Sequence, residues 1–340
     1  MKKILFICGS LNQTTQMHKI SQHLSTEHEC HFTPYYADGL VNLFARLGWL
    51  DFTVLGGRHR RETDNYLKKN NLQIDLRGKE NNYDLVVSCS DLIVQKNIQK
   101  KRLILVQEGI TEPEGFVYKL VRWLKLPRYL ANTATNGLSD SYDIFCVASE
   151  GYAEHFIRKG VRPEKIAVTG IPNFDNMKEF VQNDFPFHGY VVAATSPLRE
   201  TLRLDDRKAF IQKCIKIAGD RKLIFKLHPL ENAERAIKEI LSLAPQALVF
   251  THGNVSHIIA NAEVVITQQS TVTFVAIALG KEVCTNLDVA ELKKLMPIQN
   301  GASSASHIAR ICSRMLLNPA KELARLRINS RSRKVIGEPF

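Results

Sequence analysis

The sequence predicts an α/β protein of two Rossmann-like, doubly wound domains that face each other across a cleft. Along most of the 340 residues, short apolar runs rich in Ile, Val and Leu alternate with helical stretches. This alternation is typical of βαβ units and a parallel sheet. It stops at residues 183–189, where Asp, Pro and Gly interrupt it, and then restarts. The length also favours two domains over one.

In the first half of the chain, five apolar runs are predicted to be buried strands. A helical segment over residues 150–159, ended by Gly160, separates the last two of them. We therefore expect a first domain over residues 1–184. The predicted strands cover residues 4–8, 85–88, 103–106, 144–148 and 166–169.

In the second half, the same alternation predicts a second domain over residues 189–325, followed by a basic tail over residues 326–340. Five strands and three helices are expected in this domain. The strands cover residues 190–194, 222–227, 248–250, 264–267 and 282–285, and the helices cover residues 204–218, 232–244 and 272–279.

The composition is that of an ordinary globular chain, with 44% hydrophobic and 24% charged residues. No apolar run approaches the roughly 18 residues that a membrane span needs. The first eight residues have a basic head but too few apolar residues for a signal peptide, so we expect a cytoplasmic protein. Its seven Cys are scattered without a Cys-x-x-Cys motif, which argues against disulfides and a zinc site.

The net charge of +12 is concentrated at residues 58–61, at residues 96–102 and after Arg310. Solvated faces explain part of it. An anionic membrane surface or a phosphate-bearing substrate are the partners that the charge favours. Nucleic acid is not favoured, because the basic clusters lack the interleaved aromatic residues on which bases stack.

Ligands of open parallel sheets lie beyond the carboxyl ends of the strands, so residues that directly follow strands are the candidates for the site. In the second half, Lys226, His228 and Pro229 follow one strand, and the Pro fixes the backbone at the strand end. A cation and an imidazole at that position suit a phosphate. The other members of this predicted phosphate-binding rim are Thr195, Ser196, Arg199, Gln269, Ser270 and Thr271.

In the first half, Glu108 and Gly109 follow a fully apolar strand. A carboxylate there, next to a glycine that permits close approach of a ligand, is a candidate general base. We expect it to take the proton from an attacking hydroxyl while the rim stabilises the departing phosphate. Gly9, Ser10 and Asn173 are expected to line the cleft.

Three of these motifs, Glu108-Gly109, His228-Pro229 and Ser270-Thr271, resemble in order and domain those of bacterial GT-B transferases that use CMP-activated acidic sugars. The families concerned are the sialyl-, polysialyl- and β-Kdo-type transferases. The resemblance implies that Glu108 is the acceptor base, that His228 contacts the nucleotide phosphate, and that Ser270 and Thr271 lie on that phosphate. The match departs at Gln107, where sialyltransferases usually carry a second acid.

Two further families show similarity. Residues 195–199 and the His-Pro strand resemble CDP-glycerol glycerophosphotransferases of teichoic acid synthesis. Residues 168–175 and 107–109 resemble the non-hydrolysing UDP-GlcNAc 2-epimerases, which share the fold. Those epimerases normally carry a Glu pair in the helix where this chain has Val275 and Ala276, so the epimerase is the weaker interpretation.

Residues 116–126 predict an amphipathic helix that combines basic residues with Trp and Leu, as interfacial helices do. Lys119, Arg122, Trp123 and Lys125 are its expected membrane-facing residues. A core-packed helix is the competing interpretation. Residues 40–50 are a second candidate. We expect peripheral attachment to the inner face of the cell membrane, near a lipid-linked acceptor.

Together these arguments predict an inverting, metal-independent glycosyltransferase. The donor is expected to be a nucleotide-activated sugar or CDP-polyol, CMP- or CDP-linked, and the acceptor a surface polysaccharide or a lipid-linked glycan. Glu108 and His228 are the expected catalytic residues. No metal or cofactor is expected, since no Asp-x-Asp motif occurs. The alternatives are a UDP-GlcNAc 2-epimerase-like enzyme and a catalytically inactive basic protein that binds membranes or nucleic acid.

Overall fold

The computed structural model describes residues 1–109, 111, 114–201, 203–268, 270 and 272–334. It divides into two compact units. The first holds Met1–Asp175 and the chain from Pro297 onward, and the second holds Asn176–Met296. Each unit has its own parallel sheet and its own apolar core.

The first unit is built on a six-stranded sheet in the order β2-β1-β3-β4-β5-β6, with all neighbours parallel. Its central strands β1, β3 and β5 are buried except at Lys3, because helices cover a parallel sheet on both faces. Its elements are β1 (Lys3–Cys8), α1 (Leu11–Gln22), β2 (Glu29–Pro34), α2 (Gly39–Arg46), α3 (Gly57–Lys69), β3 (Leu85–Ser88), β4 (Arg102–Val106), α4 (Phe116–Trp123), β5 (Ile144–Val147), α5 (Glu150–Arg158) and β6 (Ile166–Val168).

The second unit is built on a five-stranded sheet in the order β11-β10-β7-β8-β9, again with parallel neighbours. Its elements are β7 (Tyr190–Ala194), α6 (Arg207–Ala218), β8 (Leu223–Lys226), α7 (Ala233–Leu243), β9 (Leu248–Phe250), α8 (Val255–Asn261), β10 (Ala262–Thr267), α9 (Val272–Ala278), β11 (Glu282–Cys284) and α10 (Val289–Lys294). Short 3-10 turns occur in both units, at Leu76–Gly78, Arg128–Thr135, Pro163–Lys165, Met177–Val181 and Arg199–Thr201.

The chain then returns to the first unit, where α11 (Ser304–Leu317) and α12 (Pro319–Lys334) complete it. The buried face of α11, which includes Ile308, Cys312 and Met315, belongs to the same apolar core as β1 and α1. The sequence placed residues 189–325 in one second domain, and the structure differs. An amphipathic helix at the end of the chain carries no signal for which sheet its apolar face will cover.

The return is fixed by polar contacts as well as by apolar packing. The Ser304 N–H at the start of α11 donates to Asp175 Oδ2 at 2.8 Å, and the Ile298 N–H donates to the Ala148 carbonyl at 3.0 Å. The predicted tail over residues 326–340 is helical as far as Lys334, and its remainder lies outside the described residues.

The boundary between the units lies at Asp175, earlier than the predicted 184. The connecting residues pack on the second unit: the Asn261 side-chain amide donates to Asn183 Oδ1 at 2.8 Å, and the Phe180 ring lies 6.2 Å from the His257 ring. Their polar and aromatic residues therefore act as part of that unit rather than as a free linker.

Two short helices of the first unit leave much of their apolar surface in solvent. None of the side chains of α2 is buried, and Leu40 is 72% exposed. On α4, Tyr118 and Val121 are buried while Phe116 and Trp123 are both 79% exposed. Every helix in the described part of the chain is too short or too polar to cross a bilayer.

We expect Gly170→Ala to destabilise the protein more than Gly160→Ala does. Both glycines have positive φ, +83° at Gly170 and +102° at Gly160. This backbone conformation is less favourable by about 1–2 kcal/mol for a residue with a side chain. Only at Gly170 would the new Cβ meet a neighbour, Ser304 Oγ at 2.2 Å, and such overpacking adds about 1–3 kcal/mol. Urea unfolding of both variants measures the difference.

Removing the Ser304 hydroxyl gives the control. In the Gly170→Ala background, Ser304→Ala should restore part of the lost stability, because the clash is with that oxygen. Equal stability of the two glycine variants would mean that the C-terminal segment does not dock beside Gly170.

Candidate functional site

Glu108 is held at the end of β4 by neutral side chains from the start of α1. Ser10 Oγ donates to Glu108 Oε1 at 2.7 Å, and Gln13 Nε2 donates to Oε2 at 2.5 Å. Asn12 Nδ2 lies 3.4 Å from Oε1, and Gln16 Nε2 donates to the Glu108 backbone carbonyl at 2.9 Å. The arrangement therefore presents an oriented carboxylate, as a general base requires.

Local structure explains why these donors converge. Ser10 is the N-cap of α1, and its Oγ also accepts from the Gln13 N–H at 3.3 Å. Gly9 precedes it, and a Cβ at Gly9 would lie 1.8 Å from Gln13 Oε1. The absence of a side chain at Gly9 thus lets Gln13 reach the carboxylate. Gly9 and Ser10 were predicted from the sequence, whereas Asn12, Gln13 and Gln16 were not.

Asn173 lies in the same cluster, on the loop that follows β6. Its side-chain amide donates to the Asn12 carbonyl and to Asn12 Oδ1, both at 2.9 Å, and to Thr15 Oγ1 at 2.8 Å. Ser10, Glu108 and Asn173, predicted from three separate strand ends, are therefore brought together. Asn173 acts on the Glu108 carboxylate through Asn12.

Gln107 has a structural role at the position where the resembling sialyltransferases carry an acid. Its side chain is buried, with Nε2 donating to the Gly109 carbonyl at 2.8 Å and Oε1 accepting from the Ala148 N–H at 2.9 Å. An amide meets both needs because it is donor and acceptor at once. It fixes Gly109, which is itself buried, and with it the turn that carries Glu108.

His59 on α3 is a second residue that the sequence analysis missed. Burial lowers its pKa, and the nearby carboxylates of Glu62 and Glu108 oppose that shift. Its Nδ1 is buried without a hydrogen-bond partner in the described structure. The sequence counted residues 58–61 only as positive charge. Helix α3 is held next to Gly9 by Thr63, whose hydroxyl donates to the Gly9 carbonyl at 2.8 Å.

In the second unit, the predicted rim is organised by Glu231, a buried carboxylate that was not among the residues predicted from the sequence. Glu231 Oε2 accepts from the Thr195 hydroxyl and, at 2.8 Å, from the His228 N–H. Its other oxygen pairs with Arg207 Nη2 at 2.6 Å. The ends of β7 and β8 are thereby joined, since the His228 N–H also lies 3.0 Å from Thr195 Oγ1.

One backbone hydrogen bond determines which ring nitrogen of neutral His228 carries the proton. The Leu230 N–H donates to His228 Nδ1 at 3.1 Å, so Nδ1 is the acceptor nitrogen. The proton of the neutral ring then resides on Nε2, which is the arrangement that donates a hydrogen bond to an anion. Pro229 follows directly and is exposed, and the ring itself is half-buried.

Two predicted rim cations are engaged elsewhere. Arg199 makes a bidentate ion pair with Glu239 at 2.8 and 2.6 Å and lies 3.3 Å from Asp205. The Glu239 hydrogen bond raises the pKa of Arg199, and that same bond lowers the pKa of Glu239. Lys226 is buried, with its ammonium 2.8 Å from the Leu227 carbonyl and 3.3 Å from that of Thr251.

The remaining rim residues lie at the turns after β7 and β10. Ser196 is buried, and its carbonyl accepts from Arg207 at 3.4 Å. Ser270 Oγ accepts from the Val272 N–H at 3.4 Å, at the start of the seven-residue α9. Gln269 and Thr271 lie outside the described residues. Across the described positions, no three His, Cys, Asp or Glu side chains form a group that holds a metal ion.

No protein-family model matches the chain, and no curated protein matches its sequence. Solved structures are similar to it. The UDP-GlcNAc 2-epimerase of Neisseria meningitidis bound to UDP-GlcNAc is 14% identical, with 95% of this chain and 94% of that one covered and a TM-score of 0.56. The Methanocaldococcus jannaschii UDP-GlcNAc 2-epimerase in complex with UDP-GlcNAc and UDP is 16% identical, with 92% and 99% covered and a TM-score of 0.55.

A third similar structure is an H444N variant of the wall teichoic acid polymerase TagF. It is 12% identical, with 94% of this chain and 90% of that one covered and a TM-score of 0.51. At such identities the likeness shows the fold. The chain therefore has the GT-B fold, an α/β fold of two Rossmann-like domains, as the sequence predicted.

We expect Gln107→Glu to destabilise the protein near neutral pH by about 1–3 kcal/mol, because a buried carboxylate would face the Gly109 carbonyl that now receives a hydrogen bond. Burial raises the pKa of the introduced Glu above its unfolded value of about 4.3. The loss should therefore be smallest below that unfolded pKa and grow as the pH rises through the raised folded pKa.

Urea unfolding of wild type and variant across this pH range gives the measurement. The matched control is Gln246→Glu, since Gln246 is exposed and its charge change should leave stability nearly constant. A Gln107→Glu protein as stable as wild type at neutral pH would contradict the structural role of Gln107.

Proposed function

We propose that this protein is an inverting, metal-independent glycosyltransferase that uses a nucleotide-activated donor. The observation that carries the proposal is the oriented carboxylate of Glu108, held by Ser10 and Gln13 without a cationic partner in the described structure. A carboxylate oriented by neutral donors is placed to accept a proton from a substrate hydroxyl. In the proposed reaction, Glu108 takes the proton of the acceptor hydroxyl.

The donor phosphate is proposed to bind in the second unit at the ends of β7 and β8. The support is the fixed Nε2–H of His228 and the anchoring of Thr195 and His228 by one buried carboxylate, Glu231. A pre-oriented donor costs no rearrangement when charge develops on the leaving phosphate. Arg199 and Lys226 are left out of the contact set, since carboxylates and backbone carbonyls already hold them.

A cytidine-based donor, CMP- or CDP-linked, is our proposal for the nucleotide. It rests on the resemblance of the Glu-Gly, His-Pro and Ser-Thr motifs to the transferases that use such donors. The acceptor is proposed to be a surface polysaccharide or a lipid-linked glycan. Either one would supply the hydroxyl that Glu108 activates in the proposed reaction.

The second candidate is a UDP-GlcNAc 2-epimerase-like enzyme, which the similar structures from Neisseria meningitidis and Methanocaldococcus jannaschii favour. One observation supports the transferase instead. In α9, where the epimerases normally carry a Glu pair, Val275 and Ala276 are buried and apolar. Incubation with UDP-GlcNAc in the absence of acceptor decides between them, because only the epimerase forms the 2-epimer.

Glu108→Gln should reduce transfer by about 10²–10⁴-fold, the usual contribution of a general base, and leave nucleotide affinity unchanged. The amide cannot accept the acceptor proton but keeps the size of the side chain. Transfer assays with a panel of nucleotide sugars and nucleotide titrations measure the two effects. Glu154→Gln, at an exposed position of α5, is the matched control. Normal transfer by Glu108→Gln overturns the assignment.

His228→Ala should weaken nucleotide binding by about 10- to 100-fold and reduce turnover as well, since a hydrogen bond to a charged group contributes about 1.5–3 kcal/mol. Isothermal titration with the preferred nucleotide measures the loss. The exposed His252 provides the control variant His252→Ala, which should bind as wild type does. Unchanged affinity in His228→Ala would show that the phosphate binds elsewhere.

The preferred nucleotide is found by thermal shift with CMP, CDP, UDP and GDP. A ligand at 100 times its dissociation constant stabilises the folded protein by about 2.7 kcal/mol, which is readily measured. A shift with CMP or CDP supports the proposed donor, and a shift with UDP alone favours the epimerase-like enzyme. No shift with any nucleotide, and no turnover, would favour a catalytically inactive binding protein.

A further inference from the structure

Helix α4 carries exposed apolar side chains and also contributes Val121 and Arg122 to the lining of a cationic cavity in the first unit. Phe116 and Trp123 are each 79% exposed, and Leu124, directly after the helix, is 49% exposed. Isolated exposed apolar residues need no explanation, but several large ones on one short helix mark an interaction surface. Together with the exposed Leu130, these residues are called the α4 apolar surface below.

The cationic cavity has a volume of about 400 Å³. Four cations are among its lining residues, together with the single carboxylate of Asp140. The cations are Arg122, Lys125, Arg128 and Lys159.

Three of the four cations lack a carboxylate partner in the described part of the chain. Arg122 donates to the Tyr118 hydroxyl at 3.1 Å and lies 3.4 Å from the Lys159 carbonyl. The ammonium of Lys159 donates to the Ala134 carbonyl and lies 5.1 Å from the centre of the Tyr118 ring. Lys125 is exposed.

Two of the carboxylates nearby are already paired with cations. Asp91 pairs with Arg128 at 3.1 Å, and Asp140 pairs with Arg162 at 2.8 Å and with Lys165 at 2.7 Å. The cavity therefore carries an excess of positive charge. Burial lowers the pKa of Lys159, the nearby Glu114 carboxylate raises it, and Arg122 lowers it.

We propose that this cavity binds the phosphate of an anionic membrane lipid, with the α4 apolar surface inserted among the lipid chains. Three cations without a carboxylate ion pair match a phosphate in charge, and the exposed Phe, Trp and Leu side chains on and near the same helix match an acyl chain in polarity. A free anion would need the cations but not the apolar surface. The inference deepens the proposed function, on which it rests for the role of this lipid as carrier of the acceptor.

Tryptophan fluorescence tests the insertion. The chain has two Trp residues, so Trp49→Phe leaves Trp123 as the only reporter. Vesicles of phosphatidylcholine and phosphatidylglycerol in equal parts should move its emission to shorter wavelength, and vesicles of phosphatidylcholine alone should not. Emission that does not change with either vesicle overturns the proposal.

Charge variants test the cavity. Lys159 is buried and its replacement puts folding at risk, so the test uses the two exposed cations. Arg122→Gln with Lys125→Gln should weaken binding to the anionic vesicles by at least about tenfold, since each basic residue near an anionic surface contributes about 1 kcal/mol. Lys68→Gln with Lys69→Gln on α3, exposed and equal in charge change, should change binding less than twofold. Equal losses in both double variants would mean a general charge effect and overturn the cavity.

Two further measurements separate the sources of phosphate and the two proposals. Inorganic phosphate that binds as tightly as the vesicles do, without a change in Trp123 emission, would indicate a free-anion site and contradict the lipid. Glu108→Gln should bind vesicles as wild type does, because no nucleotide or acceptor is present in the assay. A wild-type protein that does not bind the anionic vesicles counts against this inference alone. A Glu108→Gln variant with normal transfer counts against the proposed function alone.

Discussion

Burial of the parallel strands on both faces is the constraint on which the structure depends. In β1, β3 and β5 almost every residue is apolar and buried, because helices cover both sides of a parallel sheet. Such strands have no face left for chemistry. Polar groups that act on a ligand are therefore confined to the residues that follow each strand, and Ser10, Glu108, Thr195 and His228 all lie there.

This constraint also explains what could be predicted from the sequence. Short, mainly apolar runs such as β3 and β7 were predicted with their observed bounds, since their length and their Val-rich composition are typical of buried strands. The edge strand β2 was missed, because Glu29, His31 and Pro34 give it the pattern of a loop. β2 forms a strand because it pairs with β1, a contact in the folded protein that the residues of β2 alone do not predict. The helix predicted from residue 204 begins at Arg207, where the Asp206 side chain accepts from the Ala209 N–H and caps it.

The candidate site was predictable in position but not in its internal partners. The strand ends gave Glu108 and His228, yet the residues that hold them, Gln13 and Glu231, follow from packing and carry no motif. A cation in a sequence does not show whether a carboxylate already neutralises it. Arg199 and Arg122 look alike in the sequence, but Arg199 has Glu239, and Arg122 contacts a phenol and a carbonyl. Only the fold distinguishes a structural charge from one available to a ligand.

The return of the chain to the first unit has a consequence for biosynthesis. The second unit is contiguous, whereas the first lacks α11 until residues 304–317 have left the ribosome. Until then, the apolar side chains that Ile308, Cys312 and Met315 cover stay uncovered. The nascent first unit is thus the vulnerable one, and a chain that stops before Ser304 would present to chaperones and proteases an open apolar face beside a completed second unit.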